Sequence, residues 1–480
     1  MSLEEAFPGL PECLSAERVR PSGGDRDYTG AEPGKQNGNP GLNTESSPCG
    51  LAAIVVSMAI PAVQKLARLA YGFSPADNVQ ALGRASMNDL ALGNHPRFLL
   101  TEGGPSHRLE IRLGLIRANS PHTLRSAFLS ILVTWVPLLV LSALQGTAIG
   151  HRVPVSFLHD FAVHARFLLA VPILLLAETV LGPCIAYAAS HFVESGLVAP
   201  EDFVKFDAAI ESGLRWRDSS LSEVILICLA YTVTSINLLS TAVHVSTWYA
   251  VRTGSGVTLT WSGWWFVLFC VPLFQFLILR WLWRLFLWAQ FLWRMNRLNL
   301  QLVPTHPDEA GGLAFVGESE RLFGIVLFAC SIAVAGVLAN GIIYDGFPLA
   351  HFAPLIAVYV FVAVAIFLMP LLVFSGTLVK TKILGLYQYG TLATEYTSSF
   401  QRKWIIDPRQ TEETLLGTGD IQSLADLGNS YAFVDKMNAL PMGLRTPLHL
   451  ALACLIPMAP LLLTMMPLGD ILKMVLKFVL

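Results

Sequence analysis

Seven apolar segments, each about 20 residues long, limit what this sequence can fold into. A helix of that length crosses the hydrocarbon core of a bilayer. Backbone polar groups in lipid must bond within their own segment, so such segments cross as helices. The sequence therefore predicts an all-α fold, a polytopic membrane bundle. Its predicted spans are Ser126 to Gly146, Phe167 to Ser190, Ser222 to Ala242, Gly263 to Arg284, Leu322 to Ile342, Phe352 to Phe374 and Pro447 to Met466.

Composition supports this class. Hydrophobic residues make up 54% of the 480 positions and charged residues only 14%, unlike a soluble globular domain. A net charge of −2 gives no indication of a nucleic-acid partner. The expected partner is the bilayer, with its anionic headgroups, and a cytoplasmic protein is a further candidate. The sequence indicates no cofactor, metal or oligomeric state.

The distribution of lysine and arginine predicts the orientation, because basic residues near span ends are retained in the cytoplasm. The segment before the first span and the second, fourth and sixth connections are rich in them. The first, third and fifth connections hold only Arg152, Arg166 and Arg252. We therefore expect a cytoplasmic N-terminus.

The segments outside the spans divide the chain further. Residues 1–90 have the composition of a disordered region, with an interfacial helix at Leu51 to Tyr71 and an alternative start at Met87. Residues 91–125 form a basic lead-in, and 126–374 hold six spans, a cytoplasmic helix at 201–217 and a loop at 299–320. Residues 375–446 are expected to be cytoplasmic and helical, with Asp420 capping a helix that ends before Pro441. Residues 447–480 combine the seventh span with an amphipathic tail.

The fourth apolar segment continues beyond the length of one span. In its continuation, Arg280, Arg284, Arg294 and Arg297 fall within one arc of a helix, with tryptophan and leucine on most of the remainder. Such a pattern is typical of a helix that lies on the membrane and faces anionic headgroups. We therefore expect the part after Arg280 to lie in the interface.

Three stretches resemble a family of uncharacterised bacterial polytopic inner-membrane proteins: HARFLLAVPILLLAE, the long segment from LFQFLILRWLW to LVPTHPDEAGGLAFVG, and LLGTGDIQSLADLGNSYAFVDKM. The resemblance covers roughly Leu92 to Leu480. It implies a bacterial inner (cytoplasmic) membrane and no assigned activity.

The loop at 299–320, called the polar loop below, contains LVPTHPDEAGGL. His306, Asp308 and Glu309 could bind a metal or partner, and Arg294 and Arg297 could bind an anion. A structural turn explains the same residues, because prolines stop a helix, Asp308 can cap one, and Gly311 and Gly312 permit positive φ. We favour the turn, docked through an ion pair between an acid of the loop and Arg294 or Arg297.

Glu178, in the middle of the second span, is the intramembrane residue with the strongest functional indication, because an ionised carboxylate in lipid is costly. Gly182 and Ala189 share its face, so we expect it to face protein or a polar cavity. In the third span a polar stripe could line that cavity or simply join helices. The stripe contains Thr234, Asn237, Thr241 and His244.

Three functions remain open. Ion or small-solute permeation would use Glu178 and the stripe of the third span. A membrane-anchored sensor or assembly scaffold would use the cytoplasmic helices and the polar loop. A membrane-embedded enzyme would need His306, Asp308 and Glu309 to converge, although no catalytic triad or paired carboxylates are recognisable.

Overall fold

The computed structural model describes residues 96–105, 108, 123–149, 153–241, 247–253, 256–406, 415 and 417–464. The predicted disordered region 1–90, its interfacial helix and the amphipathic tail after Pro467 lie outside these residues. Most of the basic lead-in at 91–125 does so as well.

Helices form nearly all of the described secondary structure, which confirms the all-α prediction. A short antiparallel pair, β1 (Ala250–Thr253) and β2 (Gly256–Leu259), precedes the fifth helix. The helices are α1 (Thr123–Leu144), α2 (Phe161–Glu194), α3 (Phe203–Arg217), α4 (Ser220–Thr241), α5 (Trp261–Met295), α6 (Ala314–Arg321), α7 (Gly324–Ile343), α8 (Leu349–Leu368), α9 (Ser375–Gln401), α10 (Asp420–Lys436) and α11 (Arg445–Leu455).

Each predicted span overlaps a helix along most of its length. Within the described residues, six helical runs are long and apolar enough to cross a membrane. A seventh crossing results if α3 and α4, which meet at a bend of 48°, are counted as one broken span. The last crossing is α11 continued by the 3-10 turns Ile456–Thr464. The chain is therefore a polytopic helical membrane protein with six or seven candidate spans.

Two prolines explain wide turns inside α2 and α5. Each helix contains a π-helical segment, Ala165–Ala170 in α2 and Phe266–Cys270 in α5. Pro172 and Pro272 follow these segments. Proline lacks an N–H group and its ring crowds the carbonyl group four residues earlier, and a wide turn relieves that crowding. The carbonyl group of Leu268, four residues before Pro272, accepts a hydrogen bond from the Tyr231 hydroxyl at 2.9 Å.

Helix α5 lies in the core, so the prediction that its second half lies on the membrane surface is wrong. It is 35 residues long, about 52 Å, and its second half is packed against α2, α3 and the turn after α8. Arg284 is 3% exposed and Trp288 is fully buried. A helical wheel gives the direction of each side chain but not which sides neighbouring helices cover, so arginines of the arc are in fact enclosed. Arg297, beyond the helix, is exposed as expected.

Helices α8 and α9 form one helical run, Leu349–Ile406, of 58 residues. Helix α10 packs back against α9, and we call α9 and α10 the helical hairpin. Lys382 in α9 donates to the carbonyl group of Asp435 in α10 at 2.6 Å. Asp420 does not cap α10, whose N-cap is Gly419. Its carboxylate accepts hydrogen bonds from Lys403 at 3.0 Å and from Trp404 at 2.8 Å, so it joins the two ends of the helical hairpin.

Candidate functional site

Glu178 is held by two arginines of α5. Its Oε1 lies 2.9 Å from Arg284 Nη1 and 3.7 Å from Arg280 Nη1. The Glu178 side chain is 15% exposed and the Arg284 side chain 4% exposed. This confirms that Glu178 faces protein rather than lipid. Two cations beside one carboxylate favour its ionised form, so the three residues form a charged cluster between α2 and α5.

Close packing surrounds this charged cluster. The Arg284 guanidinium lies 4.7 Å from the ring centroid of Trp281, whose indole N–H donates to the Leu174 carbonyl group at 3.1 Å. One turn beyond Glu178, a Cβ atom added at Gly182 would lie 2.0 Å from Thr101 Oγ1. As predicted, glycine on the Glu178 face permits a close approach, here by the segment before α1. The residues that fix Glu178 thus come from three parts of the chain.

The polar stripe of the third span joins helices but does not contact Glu178 where it is described. The Thr234 hydroxyl lies 2.8 Å from Gln275 Oε1 in α5 and bonds to the Ala230 carbonyl oxygen at 2.9 Å. Thr234 is buried. This contact has the character of interhelical packing, the simpler of the two interpretations. The side chains of Asn237 and Thr241, and all of His244, lie outside the described part of the chain.

In the polar loop, Asp308 binds backbone amides instead of arginine. Its carboxylate accepts hydrogen bonds from the N–H groups of Ala310, Gly312 and Ala314 at 2.9, 3.1 and 3.0 Å. Its Oδ1 lies 2.7 Å from His306 Nδ1. Partial burial raises the pKa of Asp308, but the three amides and His306 outweigh burial and lower it below the ordinary aspartate value. Ala314 is the first residue of α6, so Asp308 caps that helix from a distance.

The expected ion pair with Arg294 or Arg297 is not found among the described residues. Arg297 instead lies 3.6 Å from the ring centroid of Trp293. The physical reason is that Asp308 reaches amides of its own loop, which cluster where the chain turns. This loop has positive φ at Glu309 (55°), Gly311 (66°) and Gly312 (98°). The glycines therefore serve the turn, as the sequence indicated.

The polar loop is nevertheless docked, through its backbone. The Glu309 carbonyl group accepts from the Asn438 amide at 2.7 Å, just after α10. Gln301 donates its amide to the Leu197 carbonyl group at 2.9 Å, between α2 and α3. A Cβ atom at Gly311 would lie 3.1 Å from Met437, and one at Gly312 would lie 3.2 Å from Leu197. The loop thus connects the α2–α3 turn with the end of the helical hairpin.

A cavity of about 300 Å³ borders this loop. Its lining includes His191 and Ser195 at the end of α2, together with His306 and Asp308. Within the part of the chain that the structure describes, no three His, Cys, Asp or Glu side chains are grouped so that they could hold a metal ion. The ring nitrogen of His306 already contacts Asp308. The geometry is that of a docked turn beside a small polar cleft.

Sequence reasoning missed a buried acid at the opposite ends of the spans. Asp160 is 6% exposed and caps α2 by accepting from the amides of Ala162 and Val163. It also accepts from the Trp248 indole at 2.9 Å and the Asn340 amide at 2.8 Å. It thereby joins three connections that are distant in sequence. An aspartate directly before a long apolar helix is an N-cap signal, so its position could have been recognised, but its other two partners could not.

A second missed acid is Glu320, near the end of α6, which is fully buried. Its Oε2 accepts a hydrogen bond from the Trp288 indole of α5 at 3.0 Å. No described residue donates to its Oε1. Nothing in the sequence distinguishes it from the neighbouring Glu318, whose side chain is 58% exposed.

The comparisons with known proteins add no family to these observations. No protein-family model matches the chain. No curated protein and no solved structure matches it either.

Proposed function

We propose that the chain is a membrane-anchored scaffold that presents its helical hairpin to a protein partner. The observation that carries the proposal is the length of the run Leu349–Ile406. Its 58 residues would extend about 87 Å as an α-helix, whereas the hydrocarbon core is about 30 Å thick. More than half of this run must therefore lie outside the membrane core.

Aromatic residues support a position for the bilayer. Trp264 of α5 is 55% exposed, and Trp283 of the same helix packs on Trp216, which is 50% exposed. The two levels on α5 are about 28 Å apart, which matches the spacing of the two aromatic belts of a membrane protein. The Thr377 hydroxyl near the start of α9 bonds to the Asn296 side chain at 2.7 Å. Asn296 lies roughly 20 Å beyond Trp283, so α9 projects into the aqueous phase.

Apolar side chains remain uncovered on this projecting part. Ile383 is 49% exposed, Leu384 50%, Tyr387 74% and Leu392 50%. In lipid such residues need no explanation, but on a water-exposed helix an apolar group of this kind marks an interaction site. The α10 side adds Phe433, which is 40% exposed. Both helices of the hairpin thus offer apolar groups for a partner.

Permeation through the bundle has less support. An acid that lines a conducting path must be accessible to ions or water, whereas two arginines enclose Glu178 on its described side. The cavity beside the polar loop lies at the helix ends rather than along the spans. An enzyme has the weakest support, because His306 and Asp308 bond to each other and to the backbone.

The setting remains part of this proposal. We place the protein in the bacterial inner membrane with a cytoplasmic N-terminus, which puts the helical hairpin in the cytoplasm. The excess of basic residues in alternate connections supports this orientation. Reporter fusions after Gly150, Arg252 and Phe347 should all report the periplasm. A cytoplasmic signal at two of the three would contradict the orientation.

Site-specific photocrosslinking in intact membranes tests the scaffold. A photoreactive amino acid at Leu392 should form a protein adduct, and the Tyr387→Glu substitution in the same chain should abolish it. A photoreactive residue at Val358, which is 60% exposed on α8, should react with lipid and serves as the matched control. Absence of a protein adduct at Leu392, combined with solute flux in liposomes that Glu178→Gln abolishes, would replace the scaffold by permeation.

A further inference from the structure

We infer that the partner of the helical hairpin is a second copy of the same chain, and that two hairpins pair as an antiparallel four-helix bundle. This inference rests on the proposed function, since it names the occupant of the exposed hairpin. It is carried by the charges of the two helices, by the constraint of a common membrane, and by the position of the exposed apolar groups.

The two helices of the hairpin carry opposite charge. The run 375–406 contains four basic residues and one acidic residue, whereas α10 contains three acidic residues and one basic residue. Lys380 on α9 and Asp435 on α10 are both exposed. The contact of Lys382 with the Asp435 carbonyl group places these two exposed charges within about one turn of the same level. A surface that is basic on one helix and acidic on the next is complementary to a rotated copy of itself.

The common membrane fixes how two copies can meet. Both are inserted in the same direction, so a two-fold axis that relates them must run along the membrane normal. Closed two-fold symmetry is the commonest arrangement of homo-oligomers. About such an axis α9 of one copy lies beside α10 of the other, and each helix then has two antiparallel neighbours of opposite net charge. This is the alternating up-down arrangement of a four-helix bundle.

The apolar groups lie at matching levels. A Cβ atom at Gly385 of α9 would lie 2.9 Å from Val434 of α10, which places these two residues at one level. Leu384 and Tyr387 on α9 flank this level, and Phe433 on α10 lies beside it. All three are at least 40% exposed within one chain. Pairing of two hairpins would bury them against their counterparts.

The mass of the purified full-length protein in lipid nanodiscs tests the inference. Wild type should have twice the mass of one chain, and Tyr387→Glu should have the mass of one chain with an unchanged melting temperature. Val204→Glu places the same charge at a position on α3 that is 79% exposed and should remain a dimer. A monomeric wild type, or a Tyr387→Glu variant that remains dimeric, would overturn the inference.

A charge exchange between chains gives a second test that does not depend on apolar contacts. Lys380→Glu and Asp435→Lys should each weaken the homodimer at least tenfold. When the two variants are expressed together with different tags, they should be recovered mainly as the mixed dimer, because the acid introduced on α9 of one chain then faces the base introduced on α10 of the other. Random mixing would count against the bundle. A purified monomer that nevertheless gives an adduct with a different protein at Leu392 in membranes would refute self-association and leave the scaffold standing.

Discussion

Glu178 and Glu320 both lie against helix α5, yet the two regions around them satisfy a buried carboxyl group in opposite ways. Glu178 has two arginines, with Arg284 at 2.9 Å. Glu320 is more deeply buried and has one neutral donor, Trp288, on one of its two oxygens. An ionised carboxylate without a counter-ion is very costly in a buried position. We therefore expect a charged Glu178 and an uncharged, protonated Glu320.

The comparison teaches that burial alone does not give the role of an acid in this bundle. The partners decide whether the charge is part of the packing. The Glu178 region depends on an ion pair, so removal of either charge should be severe. The Glu320 region depends on shape and on one hydrogen bond, so the same chemical change should have little effect. Four substitutions, taken from the largest expected effect to the smallest, test this difference.

Glu178→Gln should have the largest effect. It removes the anion that lies beside Arg280 and Arg284 and leaves both buried guanidinium groups without it. Breaking a buried ion pair from one side costs about 3–5 kcal/mol. Thermal unfolding in mild detergent should show a large decrease in melting temperature, and the exposed Glu201→Gln should show almost none.

A double-mutant cycle identifies the ion pair as the cause. Adding Arg284→Gln to Glu178→Gln removes one uncompensated cation, so the double variant should lose less than the sum of the two single variants. Strictly additive losses would mean that the ion pair does not determine the stability of this region.

Gly182→Ala tests whether close packing supports the charged cluster. The new Cβ atom would lie 2.0 Å from Thr101 Oγ1, and overpacking of this kind costs about 1–3 kcal/mol. Thr101→Ala should recover part of the loss. Gly376→Ala in α9 is the control, because nothing lies within 4 Å of its added Cβ atom. The control should be neutral or stabilising by up to about 1 kcal/mol, and an equal loss at both positions would contradict the packing argument.

Asp308→Ala should have an intermediate effect, because this acid is held by amides rather than by arginines. Loss of a capping carboxylate costs about 0.5–2 kcal/mol. Asp308→Asn keeps one acceptor oxygen and should lose less. If added divalent metal stabilised wild type but not Asp308→Ala, while both had the same melting temperature without metal, a metal site would replace the docked turn.

The same aspartate gives a pH dependence with a defined sign. Its pKa in the folded protein is lowered, so the folded state binds its proton less readily than the unfolded state. Its contribution is complete at pH values above the ordinary aspartate pKa, and it is lost as the pH falls through the lowered pKa. The difference in melting temperature between wild type and Asp308→Ala should therefore be constant near neutral pH and shrink in acid. A difference that increases in acid would contradict the amide contacts.

The sequence predicted the helices well and the partners poorly. Apolar length located the spans, and the cost of an intramembrane acid identified Glu178 as a residue that faces protein. Its partner could not be found, because Arg284 is 106 positions away and the pattern of its own helix suggested a surface. Asp308 was recognised as a turn residue, but its amide partners depend on the positive φ angles of the following residues. Glu320 had no signal, since its burial arises from α5 and not from its own segment.

Glu320→Gln should have the smallest effect of the four and is the strictest test of the comparison, because it repeats the substitution of Glu178 on the other side of α5. Glutamine has the size of a protonated glutamic acid and keeps a carbonyl oxygen that can accept the Trp288 hydrogen bond. If Glu320 carries no charge in the folded protein, the change in stability should be within about 0.5 kcal/mol. Glu320→Ala, which leaves a cavity and a buried indole N–H without an acceptor, should lose about 1–3 kcal/mol. A loss on Glu320→Gln comparable to that of Glu178→Gln would mean that Glu320 is ionised and paired, and the two regions would then not differ in the way their contacts indicate.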